Sequence, residues 1–122
     1  MKYIRTYKIF ERFVTISNFS SKQLEKLPEL PPTLKELICT NNNLTTLPEL
    51  PQNLEKLYCQ FNYIEFLPEL PKTLITLNCG RNRITSLPSE LPPNLKILQC
   101  KFNNWEEPIK KEYIEKFKMG YI

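Results

Sequence analysis

Cysteines fall at positions 39, 59, 79 and 100, and an asparagine follows each three residues later, at 42, 62, 82 and 103. Leucines keep the same register at 34, 54, 74 and 95, and again at 37, 57, 77 and 98. The period is 20, 20 and then 21 residues, because Ser89-Glu90 replaces a single Glu in Leu87-Pro88-Ser89-Glu90-Leu91-Pro92. The unit reads L-P-E-L-P-x-x-L-x-x-L-x-C-x-x-N-x-L-x-x. A unit this short cannot bury its own leucines, so copies must stack and share one continuous core. Between Lys35 and Thr40, Leu37 and Cys39 alternate with Glu36, Ile38 and Thr40, the period of a strand. Stacking the copies predicts parallel strands about 4.8 Å apart. Leu34, Leu37, Cys39, Leu44, Leu47 and Leu50, with their equivalents, then point inward. Asn42, Asn62, Asn82 and Asn103 are placed to bond the backbone of the turn after each strand. Ten of the eleven prolines lie in the Leu-Pro-Glu-Leu-Pro segments. Proline fixes φ and lacks an N–H, which predicts an extended, PPII-like convex side.

These recurring positions resemble the leucine-rich repeat, whose core reads L-x-x-L-x-L-x-x-N-x-L, with Cys here at the third Leu position. The 20-residue length and the Leu-Pro-x-Leu-Pro linker are similar to the short repeats of bacterial effectors of the YopM and IpaH type, and to repeats of giant viruses. The likeness covers residues 24–105 and implies an α/β solenoid, a horseshoe with a parallel concave sheet. The whole chain is read as one domain: an N-terminal strand cap over 1–26, repeats over 27–105 and a C-terminal capping helix over 106–122. Some effectors of this kind join the repeats to a ubiquitin-ligase domain. Residues 106–122 leave room for a helix alone, so no such activity is expected.

The two caps are predicted from local pattern. Residues 3–16 alternate through Tyr3, Arg5, Tyr7, Ile9, Phe13, Val14 and Ile16, which suits one or two strands, and Ser20 or Ser21 starts a turn toward Leu24. At the other end Asn104 precedes Glu106, Glu107 and Pro108, a helix start signal. Ile109, Tyr113 and Phe117 then recur every fourth residue, with Ile114 beside them, and Gly120 suits the C′ position. Trp105, at a core leucine position, is expected to fill the gap under this helix.

The chain has no histidine, aspartate or alanine, and glycine only at Gly80 and Gly120. This composition removes Ser-His-Asp and Cys-His nucleophile pairs, His-ligated metals and glycine-rich phosphate loops. The chain is read as no enzyme, with no cofactor and no metal. The cysteines would stand in a line along stacked strands, which cannot converge on one ion, and in-register strands aim neighbouring side chains wrongly for a relaxed disulfide. They are read as small buried apolar filler. Glu29, Glu49, Glu69 and Glu90 read as a solvated acidic strip. A net charge of +4 without a basic stripe argues against nucleic acid as the partner. The absence of a membrane-length apolar run argues against a membrane span, and the alternating start argues against a signal peptide. A cytoplasmic location is expected, meaning host cytosol or virion for a pathogen protein, and the Lys, Asn and Ile excess fits an AT-rich genome.

Residues on the strands that point away from the core differ from copy to copy, which is how a scaffold carries a specific surface. They are Glu36, Ile38 and Thr40; Lys56, Tyr58 and Gln60; Thr76, Asn78 and Gly80; Ile97, Gln99 and Lys101. Asn41, Phe61, Arg81 and Phe102 follow along the rim. Tyr58 with Phe61 forms the best anchor, since buried aromatics dominate interface energies. Phe61 and Phe102 have an alternative role, covering the edge of the core. These residues define the predicted partner surface of a non-catalytic module binding a protein or peptide. A face of about 20–25 Å by 15 Å gives a few hundred Å², short of the ~800 Å² per partner of a standard interface. That limit favours a peptide or loop. The alternative function is a structural component, such as a virion or self-associating protein.

Overall fold

The structure is a computed structural model and describes residues 14–119. Five three-residue strands form one parallel sheet in chain order: β1 (Ile16–Asn18), β2 (Glu36–Ile38), β3 (Lys56–Tyr58), β4 (Thr76–Asn78) and β5 (Ile97–Gln99). Partners stand one repeat apart, as in Ser17↔Leu37, Leu37↔Leu57, Leu57↔Leu77 and Leu77↔Leu98. The repeat register thus reaches upstream of residue 24. Val14, Ser17, Phe19 and Leu24 stand where later coils carry Leu34, Leu37, Cys39 and Leu44. Ile16, read above as the end of an alternating strand, faces outward in that register and is largely exposed. Residues 3–13 of the expected strand cap lie outside the described residues.

The core is the set of columns that the repeat defines. Leu34, Leu54 and Leu74, Leu37, Leu57 and Leu77, and Leu44, Ile64 and Ile84 are all fully buried. Each coil returns to the sheet through a turn in which Leu34, Leu54, Leu74 and Leu95 donate their N–H to the carbonyls of Pro31, Pro51, Pro71 and Pro92 at 3.1–3.2 Å. The proline side carries neither helix nor strand.

The asparagines form the predicted ladder. Asn62 Oδ1 accepts the Leu44 N–H at 3.0 Å, while its Nδ2 donates to the Cys39 and Cys59 carbonyls at 3.0 and 3.1 Å. Asn82 and Asn103 repeat this pattern one coil later each. One side chain therefore ties a turn to its own strand and to the coil before it. That is how buried polar backbone is satisfied where no regular element does so.

The C-terminal helix is shorter than the sequence predicts. Helix α1 spans Lys111–Lys116, with Lys110 at the N-cap and no side-chain cap. Asn104 does not cap it, because its N–H donates to Ile84 O at 3.0 Å and Glu106 N–H to Thr85 O at 2.9 Å. Those bonds continue the coil register, so the ladder outcompetes the local start signal. The helix also ends before Gly120, which lies outside the described residues. Lys118, at φ 49°, occupies C′ instead: it donates to Glu115 O while Met119 N–H reaches Ile114 O, a Schellman motif. Half-buried Trp105, Ile109, Phe117 and Met119 pack against the last coil and close the end of the core.

Candidate concave binding surface

Burial confirms the inward columns and sorts the outward ones. Lys56, Ile97, Gln99 and Lys101 are exposed, while Glu36, Ile38, Thr40, Tyr58, Gln60 and Asn78 are half-buried. Thr76 is the correction. It is only 7% exposed, because its neighbours in register, Lys56 and Ile97, carry longer side chains that flank it. It belongs to the floor of the face and offers little to a partner. Asn78 Nδ2 donates to Gln99 Oε1 at 2.8 Å, and Asn78 Oδ1 accepts the Gly80 N–H at 3.2 Å. A Cβ on Gly80 would meet Lys101 O at 3.3 Å, tighter than ordinary contact, so glycine lets adjacent coils approach here.

The rim column has a backbone property that its side chains conceal. Ser21, Asn41, Phe61, Arg81 and Phe102 all have positive φ, between 52° and 62°. The turn before each ladder position demands the left-handed region, which Asn tolerates and bulky residues resist. Phe61 and Phe102 do not cover the core edge: they are 53% and 61% exposed and lie outside the core cluster. The Arg81 guanidinium sits between them, 5.3 Å from the Phe61 centroid and 4.2 Å from that of Phe102. Beside this stack Arg83 lies over Tyr63 at 4.7 Å. The composition of the column hinted at aromatics; the stack itself needs the coil spacing.

Magnitudes separate stability from function here. A left-handed non-glycine residue costs about 1–2 kcal/mol, against about 0.5–1 kcal/mol for an exposed cation–π contact. Phe102→Gly relieves the first, loses the second and pays chain entropy of about 0.5–1 kcal/mol. Its stability in urea denaturation is expected to stay within about 1 kcal/mol of the parent. A much larger loss would mean that Phe102 is structural.

All four cysteines are free and buried. Burial pushes the Cys39 thiol up to about 12 and that of Cys100 up to about 11. Cys59 and Cys79 lie well above the ordinary thiol range, first through burial and then through neighbouring cysteines along the line. Thiols held neutral in this way are poor nucleophiles near neutral pH. Among the described residues no group of three or more His, Cys, Asp or Glu side chains is placed to hold a metal ion. No helix of the described residues is long and apolar enough to cross a membrane.

The leucine-rich repeat family profile matches residues 33–54, one full coil of the ladder just described. The fold is a leucine-rich repeat solenoid. Solved structures extend the likeness over most of it. A Shigella effector leucine-rich repeat domain is 46% identical with a TM-score of 0.76, covering 81% of this chain and 44% of its own. YopM from Yersinia enterocolitica is 43% identical with a TM-score of 0.72, covering 74% of this chain and 20% of its own. YopM from Yersinia pestis, described as a leucine-rich effector protein, is 38% identical with a TM-score of 0.70, covering 75% and 27%. This leucine-rich repeat chain thus spans less than half the length of these structures. A comparison with curated proteins gives no significant match.

Proposed function

We propose that this domain is a non-catalytic interaction module that binds a peptide or protein on its concave face and rim. The observation that carries the reading is the exposed Phe61–Arg81–Phe102 stack, three bulky side chains held in a costly backbone region beside half-buried Tyr58. Exposed aromatics and arginine, already desolvating one another, are the side chains that most often anchor interfaces. Likeness to bacterial effectors supports action inside a host cell, with the concave face as the recognition surface.

The pair Tyr58→Ala and Phe61→Ala tests this. The double variant is expected to lose capture of the native partner about a hundredfold, a hot-spot effect, with a thermal midpoint close to the parent's. Undiminished capture by the double variant would place recognition elsewhere.

A further inference from the structure

A cleft of about 410 Å³ crosses three coils of the concave face and rim. Gln60 and Phe61, then Asn78 and Arg81, then Lys101 and Phe102 line it, and residues 117–119 after the capping helix close one end. Arg81, Lys101 and Lys118 bring three positive charges to it, and none of its lining residues is a carboxylate. All three cations are exposed. None of their side chains makes a hydrogen bond or ion pair among the described residues.

Arg81 is the best prepared of the three. Its guanidinium lies over the Phe61 ring at 5.3 Å and over that of Phe102 at 4.2 Å. Contact with a ring face uses the charge of the cation and none of its N–H donors. The two rings also strip water from the group and hold it in place, so less ordering remains to be done when a ligand arrives. A planar fork held in this way suits a carboxylate, which accepts two parallel N–H bonds from it. Gln60 adds a buried Oε1 without a hydrogen-bond partner. An acceptor in a cleft of cations calls for a ligand that joins an N–H donor to an anion. An acidic residue within a peptide does so, because backbone N–H groups flank its side-chain carboxylate.

We infer that this cleft binds a short acidic peptide segment, with a glutamate or aspartate side chain seated on the Arg81 fork between Phe61 and Phe102. This rests on the reading of the domain as an interaction module and names the chemistry of what it recognises. Lys101 and Lys118 share the cleft, attract neighbouring carboxylates and steer the approach. The two phenyl rings serve as supports for the cation, which gives the left-handed, exposed Phe61 and Phe102 a role beyond apolar contact.

The probe is the N-acetylated, C-amidated peptide Ser-Glu-Glu-Glu-Ser, titrated into the nitrogen-labelled full chain and followed by NMR. Saturable shifts of the Arg81 Nε–H and of the Phe61 and Phe102 backbone N–H groups are expected. The Gln-for-Glu peptide should produce none, with its C-terminus amidated or free. Arg81→Lys keeps the charge and loses the fork, so it is expected to weaken binding about tenfold, the loss of one charge-assisted hydrogen bond. Lys101→Gln and Lys118→Gln should each weaken it about threefold. Lys72→Gln removes the same charge from an exposed position on the proline side and should leave binding unchanged. Equal binding by the Arg81→Lys variant, equal losses from Lys72→Gln and Lys101→Gln, shifts with either Gln peptide, or no binding at all would overturn the inference. So would a sedimentation result in which the chain dimerises and Arg81→Lys dissolves the dimer, because the anion would then belong to a second copy. If the Glu peptide fails to bind while the Tyr58→Ala, Phe61→Ala pair still loses its partner, the anion site falls and the concave reading stands. Partner capture retained by that pair, with the Glu peptide still bound through Arg81 in the parent chain, would do the reverse.

Discussion

Raising the pH from about 7 to about 10 is expected to remove several kcal/mol of folding stability through the cysteines alone. The four thiols are buried and unpaired, and their folded-state pKa values are raised. In the unfolded chain each titrates near 9.0. Above that pH the unfolded state releases protons that the folded state retains, so the equilibrium shifts toward unfolding. At about pH 10 the shift is on the order of 1 kcal/mol per thiol. Below about pH 8 both states keep their protons, and the cysteine contribution is fully present and flat. The total is a large share of the 5–15 kcal/mol typical of a domain. Urea midpoints measured at fixed ionic strength from neutral to alkaline pH check this. The comparison is with the double variant Cys59→Ala, Cys79→Ala, which separates the thiols from the rest of the chain. That variant starts less stable, because it opens cavities, but it should lose about half of the alkaline slope. An unchanged slope would show that the thiols are not the cause.

The second large effect concerns the asparagine ladder. Asn62→Ala is expected to cost about 3 kcal/mol. The side chain satisfies the buried Leu44 N–H, and it donates to the Cys39 and Cys59 carbonyls. Those carbonyls keep a second donor, from Asn42 and Asn82. The Leu44 N–H is left with none, and an orphaned buried donor is the expensive part of the loss. Asn103→Ala should cost less, because Asn103 is only half-buried and the end of the ladder can admit water. Asn62→Asp gives a sharper signature. A carboxylate there still accepts from Leu44 but stands beside two carbonyl oxygens in a buried site. Its folded-state pKa should rise, so the variant should be least stable near neutral pH and recover as the pH falls and the acid becomes a donor. Chemical denaturation across acid pH tests it. A variant insensitive to pH would mean that the ladder position is wetter than its burial implies.

Much of this molecule can be read from a single period. Leu37, Cys39, Asn42 and Leu44 recur in register, and a recurring residue in a stacked coil meets copies of itself. Local pattern and tertiary environment therefore coincide at those columns, and the buried thiols follow from the same logic. The reading weakens wherever a residue's surroundings come from a different residue one coil away. Thr76 looks like any outward strand position, yet Lys56 and Ile97 shelter it from twenty and twenty-one residues away. Asn104 and Glu106 carry a sound helix signal, but the preceding coil offers the Ile84 and Thr85 carbonyls to the same N–H groups. The upstream coil was hidden because Ser17 and Phe19 replace Leu and Cys at its core positions.

The amino-acid sequence on its own determined the repeat length, the inward columns, the ladder and the absence of the usual catalytic side chains. Those depend on chemical type and spacing along the chain. Tertiary structure decided which outward residues are truly accessible, that the rim is left-handed, and that Arg81 lies between Phe61 and Phe102. Each of these is a relation between coils, set by how twenty-residue turns stack in space, and no local window of residues contains it.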